Sequence, residues 1–198
     1  MKKIFLASLI ILLSFNQASY ADTPSEALEI VINQLITIAS DKSITDESKK
    51  TNLSKIISTE IDFEAASQRV VSKPWNNASE QQKHQFKEQF LIVMVNTYFA
   101  LLKEYSDEKV LFINEELKRE NYAIVDTELV SGSKKIPVRF RMIKNNEHWK
   151  VYDFIPEGIS LISTYRTNYS SILKNQGIDA LLEEMKKIES EKKGITNT

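Results

Sequence analysis

Trp149-Lys-Val-Tyr-Asp-Phe-Ile-Pro-Glu-Gly-Ile-Ser-Leu-Ile-Ser-Thr-Tyr-Arg166 is the stretch that decides the architecture of this chain. Residues 148–155 carry the aromatic and β-branched side chains of a buried strand. Pro156 and Gly158 mark a corner, and Ile159, Ile162, Tyr165, Tyr169 and Ile172 then recur at helical spacing. A strand therefore runs almost directly into an amphipathic helix. On this reading Glu157 falls in the first helical turn, where the macrodipole favours a negative charge.

The sequence before that strand repeats the β pattern. Asn145-Asn146 supplies a turn, and residues 135–143 alternate, with Val138, Phe140 and Met142 facing one way and Arg139 and Arg141 the other. Ser131-Gly132-Ser133 reads as a hairpin turn, residues 122–130 as an imperfectly alternating strand, and Val110-Leu-Phe-Ile113 as a short one. Four strands joined by short turns imply an antiparallel meander.

Further upstream the period is helical. Leu28, Val31, Ile32, Leu35, Ile38 and Ala39 form one stripe, and Leu53, Ile56 and Ile57 a shorter one. Asp62 can cap a short helix carrying Phe63, Ala66 and Val70, which Lys73-Pro74-Trp75 breaks. Ser79-Glu-Gln-Gln82 is a capping box opening the longest helix, which runs to about Tyr105 with Phe86, Phe90, Met94, Tyr98 and Leu101 along its stripe. After the sheet, Gly177 separates the helix of residues 159–172 from one carrying Ile178, Leu181, Leu182 and Met185. Helices, a meander, then helices give an α+β class, with helices packed on a strongly twisted four-stranded antiparallel sheet. Such a sheet can enclose an apolar cavity. Phe and Met suit a cavity or a filled core equally, and periodicity leaves both open.

The ends bound the compartment. Lys2 and Lys3, the apolar run over residues 4–15 and the small residues of Ser19-Tyr20-Ala21 read as a signal peptide over residues 1–21, with cleavage before Asp22. The apolar run is shorter than the roughly 20 residues a membrane span needs. With no Cys in the chain, lipoprotein anchoring is not expected, and residues 22–198 form a single domain outside the cytoplasm. An exported domain without disulfides depends on core burial, which a chain of this size can supply. The formal net charge is −1, with no basic block, so nucleic acid is a poor partner. The mixed-sign run over residues 186–193 reads as a solvated helix end.

A search for chemistry returns little. His84 and His148 are far apart and fit no metal-ligand spacing, so no metal site is expected. There is no thiol, and Gly158-Ile159-Ser160 lacks the second glycine of a nucleophile elbow. Four scattered glycines build no phosphate loop. The sequons at Asn77 and Asn168 are of a kind that arises by chance. Asp153 and Glu157 are the best paired carboxylates. Asp153 suits a structural role, bonding backbone donors at the strand-to-helix corner; the enzymatic alternative uses it as a general base.

Three blocks resemble the MlaC-type periplasmic phospholipid carriers, also described as toluene-tolerance auxiliary proteins of an ABC transporter. They are residues 69–75 before the Ser79 cap; Phe86, Phe90, Thr97-Tyr98, Leu101 and Tyr105; and Trp149-Lys-Val-Tyr-Asp153 with Glu157-Gly-Ile-Ser-Leu161 and Tyr165-Arg166. Pro156 and Lys73-Pro74 depart from the usual pattern. The resemblance implies an NTF2-like cone whose cavity holds the acyl chains of a phospholipid as cargo, with no other cofactor and no catalytic residue. It implies a periplasmic monomer shuttling between an inner-membrane MCE–ABC transporter complex and an outer-membrane lipoprotein complex, in service of outer-membrane lipid asymmetry. A hopanoid is the alternative cargo, and an NTF2-like enzyme using Asp153 the alternative activity. The expected lipid contacts are Phe90, Met94 and Tyr98 of the long helix, Phe140 and Met142 of the third strand, Val151 of the fourth, and Ile159, Ile162 and Tyr165 beyond the corner.

Overall fold

In a computed structural model, residues 23–103 and 107–195 are described. The predicted signal peptide and the predicted end of the long helix at Tyr105 lie outside them. The element order is α1 (Pro24–Ser40), α2 (Asp46–Glu60), α3 (Phe63–Val71), a 3-10 turn (Lys73–Asn77), α4 (Glu80–Lys103), β1 (Lys109–Arg119), β2 (Tyr122–Ser131), β3 (Lys134–Asn145), β4 (His148–Pro156), α5 (Leu161–Asn175) and α6 (Gly177–Ile195). The four strands form one antiparallel sheet in sequence order, an uncrossed meander.

The helix starts follow from local chemistry. Ser79 and Gln82 form the reciprocal capping box at the head of α4, with Gln82 N to Ser79 Oγ at 3.2 Å and Ser79 N to Gln82 Oε1 at 2.9 Å. Asp62 caps α3 by accepting from Ala65 N at 2.8 Å, while its own N–H donates to Val151 O of β4 at 2.9 Å. One residue thus starts a helix and ties it to the sheet.

Three apolar clusters hold the layers together. Val70, Trp75, Phe86, Phe90, Met94, Ile162, Leu173, Leu181, Leu182 and Met185 pack α3, α4, α5 and α6 into one core. Leu28 of α1 packs with Ala123, Val125, Met142, Trp149 and Val151 on the inner face of the sheet. Leu53, Ile57 and Val95 join α2 to α4. Ile61 packs against all three and bridges Val151.

Two elements differ from the sequence reading. The first strand extends to Arg119, well past Ile113, although Asn114-Glu-Glu-Leu-Lys-Arg119 is largely polar. It is the sheet edge, exposed along nearly its whole length, and an edge strand needs no apolar run. At the corner, α5 begins at Leu161, capped by Ser160. Glu157 and Gly158 instead adopt φ of 48° and 82°, closing a turn in which Ile159 N reaches Pro156 O at 2.9 Å. Proline fixes the chain at the strand end and the left-handed pair reverses it, so Glu157 sits in no helical turn.

Candidate functional site: an apolar cavity under the sheet

The cavity's lining is set by sheet register. Val125, Phe140 and Phe154 lie opposite one another across β2, β3 and β4, as do Ala123, Met142 and Val151, and Thr127 faces Val138. These residues form the inner face. Asp126, Arg139 and Ile155 lie on the other, as do Ile124, Arg141 and Asp153. A bulge between Arg141 and Met142 leaves Tyr152 as an extra residue on β4. It inverts the alternation, so Val151 and Phe154 share a face although they stand three positions apart.

Between this inner face and α1 lies a cavity of ≈190 Å³. Ile32, Leu35, Ile36 and Ala39 of α1 form its floor. Val110, Thr127, Leu129, Val138, Phe140 and Phe154 form its roof. The one hydroxyl among them, Thr127 Oγ1, donates to Val138 O at 3.0 Å, so the lining offers apolar surface only. Phe140 leans on Phe154 at 5.3 Å between ring centroids, and Tyr98 of α4 meets Phe154 edge-on at 5.9 Å. Tyr98 therefore buttresses the wall from behind. Burial pushes its phenol well above the usual range, reinforced by Tyr165 and the charge of Asp153.

The nine residues expected to meet lipid fall into four groups. Phe140 lines the cavity and Tyr98 stands directly behind it. Phe90, Met94, Ile162 and Tyr165 belong to the core between α3, α4, α5 and α6, where Phe90 stacks edge-on against Phe63 at 6.1 Å and Tyr165 at 5.1 Å. Met142 and Val151 are on the inner face but packed with Leu28, outside the cavity lining. Ile159 does not join a helix face: it precedes α5 and is 66 % exposed, because the Glu157-Gly158 reversal turns it outward. The sequence reading missed Phe154, which strict alternation assigns to the outer face, and the α1 stripe, whose apolar spacing was plain but whose partner was not.

Asp153 occupies the corner predicted for it. Its Oδ1 accepts from Ile162 N at 3.1 Å, and its Oδ2 accepts from Ser160 Oγ at 2.8 Å and Arg141 at 3.2 Å. The side chain is 1 % exposed and does not line the cavity. A general base needs an oxygen open to substrate, and both oxygens here are covered by donors that fix the start of α5. His84 pairs with Glu88 at 3.3 Å on the surface of α4. Among the described residues no group of three His, Cys, Asp or Glu side chains could hold a metal ion, and no helix is long and apolar enough to cross a membrane.

Helices packed on a four-stranded antiparallel sheet, with an apolar cavity beneath it, define an α+β cone of the NTF2-like type. The chain belongs to the MlaC protein family, whose description matches residues 29–187. It is 27% identical over 136 residues to the intermembrane phospholipid transport system binding protein MlaC of Haemophilus influenzae. That alignment takes in 66% of this chain and 64% of the relative's length. The fold matches that of a phospholipid-binding protein from Ralstonia solanacearum, solved in complex with a phospholipid, with a TM-score of 0.76. The match covers 86% of this chain and 98% of that one at 17% sequence identity.

Proposed function

We propose that this chain is a periplasmic phospholipid carrier that holds an acyl chain between α1 and the inner face of the sheet. The observation that carries the reading is the purely apolar cavity in a chain of this family. The names of the similar proteins, one in intermembrane phospholipid transport and one bound to a phospholipid, point to the same cargo. Phe140, Val138, Leu129, Val110, Phe154 and the α1 stripe are the proposed tail contacts, with Tyr98 supporting them from behind. Phe90, Met94, Ile162 and Tyr165 act on the cavity by holding α4 and α5 in place.

The energetics favour such a carrier. Each buried CH₂ contributes about 0.8 kcal/mol, so two acyl chains exposed to water cost more than roughly 20 kcal/mol. Moving a lipid from bilayer to cavity exchanges one apolar environment for another and changes the free energy little. Direction therefore comes from the partners, which we take to be an inner-membrane MCE–ABC transporter complex and an outer-membrane lipoprotein complex. The proposed carrier is a monomer, exported by its signal peptide, and performs no catalysis.

The cavity of ≈190 Å³ is below the roughly 300–1,000 Å³ of sites for drug-sized molecules. Taking up a phospholipid tail requires α1 and the sheet to part. The polar ties of α1 to its neighbours sit at its ends, where Ser25 N donates to Glu115 Oε2 at 2.8 Å and Lys49 Nζ to Ala39 O at 2.7 Å. Between them the contact is apolar and can separate around an apolar guest. Native mass spectrometry of protein purified from cells without detergent is expected to recover stoichiometric phospholipid. Recovery of no lipid would overturn the reading, and recovery of a hopanoid alone would replace the cargo.

A further inference from the structure

Two residues that carry the family resemblance lie outside the cavity lining and meet each other. Arg69 of α3 places its guanidinium 4.3 Å from the ring centre of Tyr152, the bulge residue of β4, and 5.9 Å from that of Tyr122. The two rings pack edge to face at 6.2 Å. Around them the outer face of the sheet forms a recess of ≈380 Å³, lined also by Lys118, Arg119 and Arg141. Four cations line this recess and no carboxylate does. Arg141 is engaged by Asp153 and Lys118 by Glu116, whereas Arg69 and Arg119 have no ion pair among the described residues. Arg69 donates once to Ala65 O at 2.7 Å, and the rest of its planar fork has no acceptor among the described residues.

We infer that this recess docks an acidic segment of a partner protein in the cell envelope. Guanidinium forks match carboxylates in paired hydrogen bonds, and tyrosine rings give the inserted segment a rigid apolar wall. A bilayer is the poorer fit. A net charge of −1 gives the chain as a whole no attraction to an anionic membrane, and a recess receives a protruding side chain better than a flat surface. The bulge at Tyr152 turns the face of the sheet and brings the ring under Arg69, so one irregularity shapes both the cavity and the recess. Charges of this kind act mainly on association rate.

The inference rests on the carrier reading for the identity of the partners. Its test is binding of the full chain to each detergent-solubilised envelope complex of the same organism at about 0.1 M salt. The variant K118E/R119E reverses two exposed charges outside the cavity. It is expected to weaken binding to at least one complex by roughly tenfold, chiefly through a slower on-rate, with lipid content and thermal unfolding as in the unaltered chain. R119Q, on an exposed side chain without an ion partner among the described residues, should give a smaller loss in the same direction and guards against misfolding of the double variant. Equal affinity of all three proteins for both complexes would overturn the inference, as would failure of the unaltered chain to bind either one. Sensitivity confined to phosphatidylglycerol vesicles would overturn it in favour of a bilayer. Absence of lipid from every protein, with complex binding still sensitive to K118E/R119E, would sink the carrier reading and leave the docking surface standing.

Discussion

Asp153 shows how one side chain can look catalytic in a sequence and be structural in the fold. It sits in an aromatic strand beside a serine-containing turn, as a general base might. Two of its three donors, Ser160 Oγ and Ile162 N, begin α5, and the third is Arg141 of β3. Asp153→Ala leaves Ile162 N without its acceptor in a buried corner, and an unsatisfied buried donor costs about 1–3 kcal/mol. Urea unfolding should register a loss of about 2 kcal/mol; a change near zero would mean that the corner does not depend on this carboxylate. Tyr98 and Tyr169 make a different statement, about alkaline pH. Burial raises both phenols above the ordinary value, with the neighbouring Tyr165 adding to each. Ionisation therefore favours the unfolded chain. Their contribution to stability is complete below about pH 10, the unfolded value, and is lost progressively as pH rises above it. Denaturant midpoints should hold up to about pH 10 and fall progressively above it, and Tyr98→Phe should flatten that fall. An unchanged slope in the phenylalanine variant would show that Tyr98 titrates as an ordinary exposed phenol.

Among the elements, caps and turns were the most legible. Asp62, Ser79 and the two hairpin turns act through atoms within a few residues of one another, so local sequence contains the cause. The turns fall at Gly132-Ser133, within the stretch read, and at Asn146-Glu147, one residue later than read. The extent of β1 and the bulge in β4 were not legible, because both are set by pairing with a neighbouring strand. The bulge mattered most. It placed Phe154 in the cavity wall and Asp153 in the corner, where simple alternation puts Asp153 with Val151. Ile159 was misplaced for a related reason: apolar spacing continued across a turn that Pro156, Glu157 and Gly158 had already committed to reversal. Asp62 supports a prediction at this scale. It caps α3, its backbone N–H bonds β4, and Asn145 Nδ2 reaches its second oxygen at 3.4 Å. Asp62→Ala should cost about 1–2 kcal/mol through the cap alone. Because the same residue joins α3 to the sheet, the amides of Ala65 and Asp62 should lose hydrogen-exchange protection together. Loss at Ala65 alone would mean that the strand contact survives without the cap.

At the scale of the whole molecule, the question left open by periodicity was whether the apolar interior is filled. Both answers hold, in different places. The α3–α6 cluster is a filled core around Phe86 and Phe90, each 0 % exposed, whereas the space between α1 and the sheet is not filled. The sequence could not separate them because both draw on the same residue types, and only the relative placement of α1 and the sheet distinguishes wall from core. Ala39 offers a direct test. It lies in the last turn of α1, it is 9% exposed, and it lines the cavity with the smallest side chain present. Ala39→Trp in a filled core would overpack it, at a cost of typically 1–3 kcal/mol. Beside a cavity of ≈190 Å³ the indole has somewhere to go, and it covers apolar surface that otherwise lacks contacts. The variant should therefore unfold within about 1 kcal/mol of the unaltered chain while lipid recovered by native mass spectrometry drops severalfold. A stable Ala39→Trp protein with its full lipid complement would place the acyl chain elsewhere, with the α4–α5 interface around Phe90 and Ile162 the next location to probe. A variant destabilised by several kcal/mol would show that α1 and the sheet are packed too rigidly to admit any guest.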